Sequence, residues 1–254
     1  MAKFIAVYSM KGGVGKTTLA VNLAYCSAVL GGHRTLLWDL DAQGGSAFLL
    51  GQAEAAHTAK KLFSGKADPA DLAEPTRWPG LDLIAADLSL RHLESDLAEA
   101  DKPKRLRKLL RTLEDRYDRI ILDCPPGLGE ISEHIFRAVE LIVAPVEPNP
   151  LALRTLDLVE ARLAEEDGRK PRIMPVLSMV DRRKSLHRQV REAHPDWPAI
   201  PQASAVERMA VEQAPVVDFA RSSPGARAIV EVWRAVEGEK PAAPLAKIPA
   251  KTKR

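Results

Sequence analysis

The sequence predicts a doubly wound α/β fold, with a mainly parallel sheet and helices on both faces. Three observations carry this expectation. Short apolar runs alternate with amphipathic stretches, as they do in chains built of βα units. A glycine-rich loop ending in Lys-Thr separates the first apolar run from the first helix-period stretch. Two later apolar runs end in aspartate, at the strand ends where ligands gather in open parallel sheets.

Strands are expected over Phe4–Tyr8, Thr35–Trp38, Leu81–Ala85, Arg119–Leu122, Leu141–Pro145 and Arg172–Ser178. Val216–Phe219 reads as a short final strand. Helices are expected to begin near Lys16, Lys104, Ile131, Leu153, Lys184 and Gly225. The first should stop at Gly31-Gly32, where glycine tolerates a left-handed residue. Over 104–116 the spacing places Leu106, Leu109, Leu110 and Leu113 on one face, with the cations elsewhere. Ala226, Ile229, Val230 and Trp233 recur at helical spacing and read as core.

At 254 residues the chain can bury a sizeable core in one large domain. Its 46% apolar and 28% charged residues are those of an ordinary globular protein. The longest apolar stretches, such as 140–146, fall far short of the roughly 20 residues that cross a bilayer. Met1 to Tyr8 runs directly into the glycine loop, so no signal peptide is expected. Two cysteines, Cys26 and Cys124, are too few for a disulfide framework or a structural zinc site. A cytoplasmic chain without a membrane anchor is therefore expected. The net charge of +3 is unevenly divided. Residues 238–254 carry four Lys and one Arg against one Glu, which leaves 1–237 at −1. The expected organisation is a folded domain over 1–237 and a disordered, basic Pro/Ala/Lys tail over 238–254. Such a tail can tether to DNA or acidic lipid, or simply solubilise, but its prolines exclude an amphipathic membrane helix.

The loop reads Lys11-Gly-Gly-Val-Gly-Lys-Thr-Thr18. Gly12, Gly13 and Gly15 let successive N–H groups around Val14 curl about phosphate oxygens, and the helix opening at Lys16 adds its dipole. Lys16 would reach the β- and γ-phosphates, Thr17 would ligate Mg²⁺, and Thr18 closes the motif. The common pattern, G-x-x-x-x-G-K-[ST], wants glycine where Met10 stands; this loop carries an extra lysine, Lys11, instead.

That loop resembles the deviant Walker A class, the ParA/MinD superfamily of dimerising ATPases with the P-loop NTPase fold. The resemblance implies ATP and Mg²⁺ as cofactors and a homodimer when ATP is bound. It implies that Lys11 crosses to the partner's nucleotide as a cation delivered in trans. Where a cation of this kind has been measured in other systems it contributes about 10³–10⁵ in rate.

Thr35-Leu-Leu-Trp-Asp39-Leu-Asp41-Ala-Gln-Gly-Gly45 is similar to the family's D-x-D-P-Q-G switch I, with Ala42 in place of proline. The resemblance makes Asp41 the residue that positions the attacking water and puts Asp39 near the metal. Arg119-Ile-Ile-Leu-Asp123-Cys-Pro-Pro-Gly127 ends an apolar strand in Asp, as a metal-holding Walker B segment does. Its D-x-P-P stretch resembles switch II, and Gly127 offers the freedom a switch needs. Cys124 reads as a packed residue. Residues 144–151 look like the family's sheet-end segment, and Ser178-Met-Val-Asp-Arg resembles a segment that begins near the adenine in partition ATPases.

The branch indicated is a small ParA-type ATPase. Cluster-bearing relatives need paired cysteines, tyrosine kinases of the superfamily a tyrosine cluster, and MinD a membrane helix; none is visible here. The resemblance implies non-specific binding to nucleoid DNA and release when a ParB-like or cargo adaptor protein stimulates hydrolysis. The cargo would be a plasmid, a chromosome origin or a protein assembly. The family's I-P-R-N-V-R segment here reads Ile200-Pro-Gln-Ala-Ser-Ala205, without either arginine. Arg182, Arg183, Lys184, Arg208, Arg221 and Arg227 are the candidate replacements, since phosphate contact needs several cations on one face. The alternatives are a switch acting on protein partners without DNA, and a small-molecule enzyme such as an amidoligase, which no substrate-site signature supports.

Overall fold

The computed structural model describes residues 3–53, 62, 67–87, 90, 105–166 and 168–238. The first half of the chain runs β1 (Phe4–Val7), α1 (Lys16–Tyr25), β2 (Thr35–Asp39), α2 (Gly45–Leu50), β3 (Glu74–Pro75), β4 (Leu81–Ile84) and α3 (Arg105–Thr112). It continues through β5 (Arg119–Asp123), α4 (Glu130–Ala138), β6 (Leu141–Val146), α5 (Pro150–Glu165), β7 (Arg172–Val180), α6 (Ser185–Ala193) and β8 (Ala199–Pro201). Short helices α7 (Ser204–Glu207), α8 (Met209–Glu212) and α9 (Val216–Phe219) precede α10 (Pro224–Glu237).

The strands form one sheet in the order β3-β4-β2-β5-β1-β6-β7-β8. All neighbours are parallel except the β3–β4 edge pair. Each face is covered, because alternate side chains feed opposite cores. Phe4, Ala6 and Tyr8 of the first strand region join Ile120, Leu122 and Phe136 on one side. Ile5 and Val7 join Ile121, Leu19, Val230 and Trp233 on the other. Strands buried on both faces lose the polar alternation of a half-exposed sheet, which is why they read as continuous apolar runs. The chain leaves β1 for β2 on one side and reaches β6 on the other, so the loop after β1 sits at the sheet's switch point.

The six long strands lie where the sequence placed them, to within a residue or two, and four departures have physical causes. Val216–Phe219 is helical, not a strand: Pro215 precedes it, Val216 and Val217 are buried, and Asp218 accepts from Tyr25 and Trp78. Those tertiary contacts override the β preference of two valines. The last strand is instead Ala199–Pro201, too short and too proline-flanked to signal itself. Helix α2 begins at Gly45, a poor helix former, and carried no capping signal. The first helix continues through a π-helical turn, Cys26–Leu30, and stops at Gly31-Gly32 as expected, with the left-handed φ of +68° at Gly32. Helix α5 starts three residues earlier than expected, at an Asn149-Pro150 pair whose asparagine caps Ala152 N at 2.9 Å. The start expected near Lys104 and the tail from 239 onward lie outside the described residues. No helix among the described residues is long and apolar enough to cross a membrane.

Candidate functional site

The loop between β1 and α1 is built on backbone conformations that exclude side chains. Gly13 and Gly15 take φ of +76° and +87°, and Gly15 is the N-cap of α1 without a side-chain cap. A Cβ added at Gly12 or Gly13 would meet no protein atom within 4 Å. The first amides of α1 lie beyond the reach of intrahelical partners and can serve a ligand. Lys16 lies along this loop, 7% exposed, with its Nζ donating to the Lys11 carbonyl at 3.2 Å. Burial pulls the Lys16 ammonium below its ordinary range, and Asp123 and Asp41 pull it back up.

The aspartates converge from two strands. Asp39 and Asp123 are paired residues at the ends of β2 and β5, both fully buried. Asp39 holds the next loop in place: its Oδ1 accepts from Asp41 N at 2.9 Å and its Oδ2 from Ser46 N at 3.0 Å. Ser46 Oγ donates to Asp123 Oδ2 at 2.9 Å, while Asp123 Oδ1 is buried without a hydrogen-bond partner among the described residues. Burial pushes the Asp123 carboxyl up to about 6, with Thr17 and Ser46 pulling it down. Asp39 is pushed up too, by burial and then by Asp123 beside it. Asp41 is half-buried at the head of its turn, its Oδ1 accepting from Gln43 N at 3.1 Å. Gly45 packs so closely on Thr17 that a Cβ there would stand 3.0 Å from Thr17 Cγ2.

The candidate switch II is tied to the phosphate loop. Gly127 has φ +99°; its carbonyl accepts from the Tyr8 hydroxyl at 2.6 Å, and its N–H donates to Met10 O at 3.1 Å. Cys124 is fully buried, as its packing role requires.

Lys11 does not extend away from the protein. Its ammonium pairs with Glu147, after β6, a residue the sequence did not single out. On the other side of the loop is a cavity of about 160 Å³ lined by Gly15, Thr18, Met179, Gln202, Val206 and Ile229, among others. Met179 takes φ +54°, an uncommon conformation for methionine. Sequence reasoning reached the start of this wall at Ser178 but missed Gln202 and Val206, which only the fold of β8 and α7 brings near.

The candidate DNA-contacting cations differ in exposure and in partners. Arg182, Arg183 and Lys184 are exposed ahead of α6, but Arg183 is held by Asp181 at 2.9 Å. Arg208 pairs with Glu212, Arg227 lies exposed on α10, and half-buried Arg221 donates to Val217 O at 3.5 Å.

A glycine loop with a buried lysine at a parallel sheet's switch point, faced by two strand-end aspartates, defines a P-loop nucleoside triphosphatase. A family model described as an AAA domain matches residues 2–165. The sporulation initiation inhibitor protein Soj of Bacillus subtilis is 35% identical over 199 residues, 76% of this chain and 78% of that one. Chromosome partitioning protein ParA of Caulobacter vibrioides is 34% identical over 197 residues, 74% and 73% of the two chains. Among solved structures, an ATP complex of a Cyanothece McdA variant matches with TM-score 0.80 at 20% identity, over 95% and 98% of the two chains. MinD of Pyrococcus horikoshii with Mg-ADP matches with TM-score 0.76 at 22% identity, over 93% and 96%. Cobyrinic acid a,c-diamide synthase of Mycobacterium smegmatis, with ATP analog and magnesium, matches with TM-score 0.79 at 25% identity, over 93% and 94%. The chain belongs to the ParA/MinD superfamily and is an ATPase of the ParA/Soj kind.

Proposed function

We propose that this ATPase positions or partitions a cargo by cycling between a monomer and an ATP-bound homodimer. Its cofactors are ATP and Mg²⁺. Loop amides from Gly12 to Thr18 bind the phosphates, and Lys16 neutralises the β- and γ-oxygens. Thr17 and Asp123 would hold the metal, with Asp39 beside them. The orphaned Asp123 Oδ1 and the adjacent hydroxyl suit Mg²⁺, a hard cation that takes few protein ligands and leaves the rest to phosphate and water. When bound, Mg²⁺ would supply charge neutralisation to the phosphates. Asp41 orients water, and Lys11 of each subunit serves the other's nucleotide. The cavity bounded by Met179 and Gln202 takes the base. Gly127, gripped by Tyr8 and Met10, carries nucleotide state into switch II.

The observation that carries the reading is the Lys11 to Thr18 loop itself, with its extra lysine at the edge of an otherwise complete site. We place the protein in the cytoplasm, on nucleoid DNA held non-specifically in the ATP state, and released by a ParB-like or cargo adaptor protein. Fluorescence anisotropy with random-sequence duplex tests this. Binding should require ATP, weaken steeply with salt, and survive removal of 238–254 with lower affinity. Tight binding with ADP, or its loss with the tail, would contradict it. No binding in any state would favour a switch acting on protein partners alone.

A further inference from the structure

The Lys11 ammonium is already engaged inside its own subunit. It pairs with Glu147, which lies in the loop between β6 and α5. That loop is stiff. Asn149 Nδ2 donates to Glu147 Oε2 at 3.2 Å, Asn149 N donates to Glu147 O at 2.8 Å, and Asn149 Oδ1 caps α5 at Ala152 N. One asparagine thus fixes both the helix start and the carboxylate. The Lys11 and Glu147 side chains are about a third exposed, 37% and 27%. The contact is neither dissolved in solvent nor locked in the core. The Lys11 ammonium lowers the Glu147 carboxyl below its usual range, so the acid stays ionised near neutral pH.

We propose that Glu147 is a cis latch for Lys11, holding the lysine in its own subunit until a partner's phosphates compete for it. This rests on the reading that Lys11 acts in trans. Reaching a neighbour's triphosphate would draw the Lys11 ammonium off Glu147, so each dimer opens two latches. The competition has a sign. An ADP-loaded partner presents less negative charge than an ATP-loaded one, so the latch discriminates against dimers that lack a γ-phosphate. A partly exposed ion pair of this kind shifts an equilibrium by about two- to fivefold. Because two latches open per dimer, the effects multiply to about four- to twenty-five-fold in the dimer dissociation constant.

The test is sedimentation velocity across a protein concentration series for full-length wild type, Glu147→Gln, Glu147→Asp and Lys11→Ala, each with ATP and with ADP. Glu147→Gln keeps the shape and the Asn149 hydrogen bond but removes the charge. It should dimerise at about four- to twenty-five-fold lower concentration with ATP and should begin to dimerise with ADP. Glu147→Asp should lie near wild type. Affinity for ADP should match wild type in Glu147→Gln, and the melting temperature should fall by no more than about 4 °C, which separates a latch from a loop brace. If Lys11→Ala is defective while Glu147→Gln dimerises as wild type or more weakly, the latch is overturned and the trans lysine stands. If Lys11→Ala dimerises and hydrolyses normally, the trans lysine fails, and the latch with it.

Discussion

Asp39 and Asp123 end adjacent parallel strands in direct register, and one residue, Ser46, hydrogen-bonds to both carboxylates. Two like charges side by side in a buried position are costly unless one takes a proton or a cation stands between them. Both carboxyls are accordingly pushed toward the protonated form, and a cation between them would relieve that cost.

That shift gives a pH dependence. The Asp123 carboxyl titrates at about 6 in the folded protein, above the ordinary value of 3.8. The folded state then binds more protons than the unfolded chain between those values. Its contribution to stability is fully present below the ordinary value and is lost as pH rises through about 6. Ligand-free protein should lose urea stability between about pH 4 and about pH 6.5, and Asp123→Asn should flatten that slope. Equal slopes in wild type and variant would show that Asp123 does not titrate in this range.

Lys16→Gln should weaken ATP binding by about a hundredfold or more, because it removes a charge-assisted donor from a buried site. Isothermal titration calorimetry reads it directly. Affinity close to wild type would remove the phosphate-loop assignment.

Helix α10 is anchored far from this site. Arg119 of β5 and Glu237 of α10 form a buried bidentate pair, with nitrogen–oxygen distances of 3.1 and 2.8 Å. Glu237→Ala removes both of these charge-assisted hydrogen bonds from a buried guanidinium, so it should cost about 3 kcal/mol in chemical denaturation. ATP turnover below the transition should be retained. A loss under about 0.5 kcal/mol would mean that water reaches Arg119 without difficulty.

Among the cations considered for DNA, the structure separates free from engaged. Arg182 and Lys184 are exposed, whereas Arg221 is turned onto Val217 O. Arg182→Ala with Lys184→Ala should lower random-duplex affinity in the ATP state. It should also flatten the salt slope by about 0.9 for each phosphate no longer neutralised. Arg221→Ala should lower the melting temperature instead. The reverse pattern, measured by anisotropy and calorimetry, would place the DNA face elsewhere.

The strands and the phosphate loop were legible because their signals are local. An apolar run, a glycine at a left-handed turn and an aspartate at a strand end each act through neighbours in sequence. Ser46, Glu147 and Gln202 were not legible. Ser46 matters only because β2 and β5 are adjacent; Glu147 meets Lys11 across 136 positions; and Gln202 lines the cavity beside Gly15 because β8 pairs with β7. The Asn149-Pro150 pair was a readable helix start that periodicity alone placed three residues late. Val216 and Val217 show the opposite failure, a clear local preference overruled by packing against α1 and α10.

An ATP-dependent dimer in which hydrolysis needs Asp41 is the central claim. Asp41→Ala keeps Lys16, Thr17 and Asp123, so it should bind Mg-ATP yet hydrolyse it slowly. Sedimentation velocity of this variant with ATP and with ADP is the direct measurement. A stable dimer with ATP and a monomer with ADP is the expected result; a monomer that turns over ATP at the wild-type rate would contradict the claim.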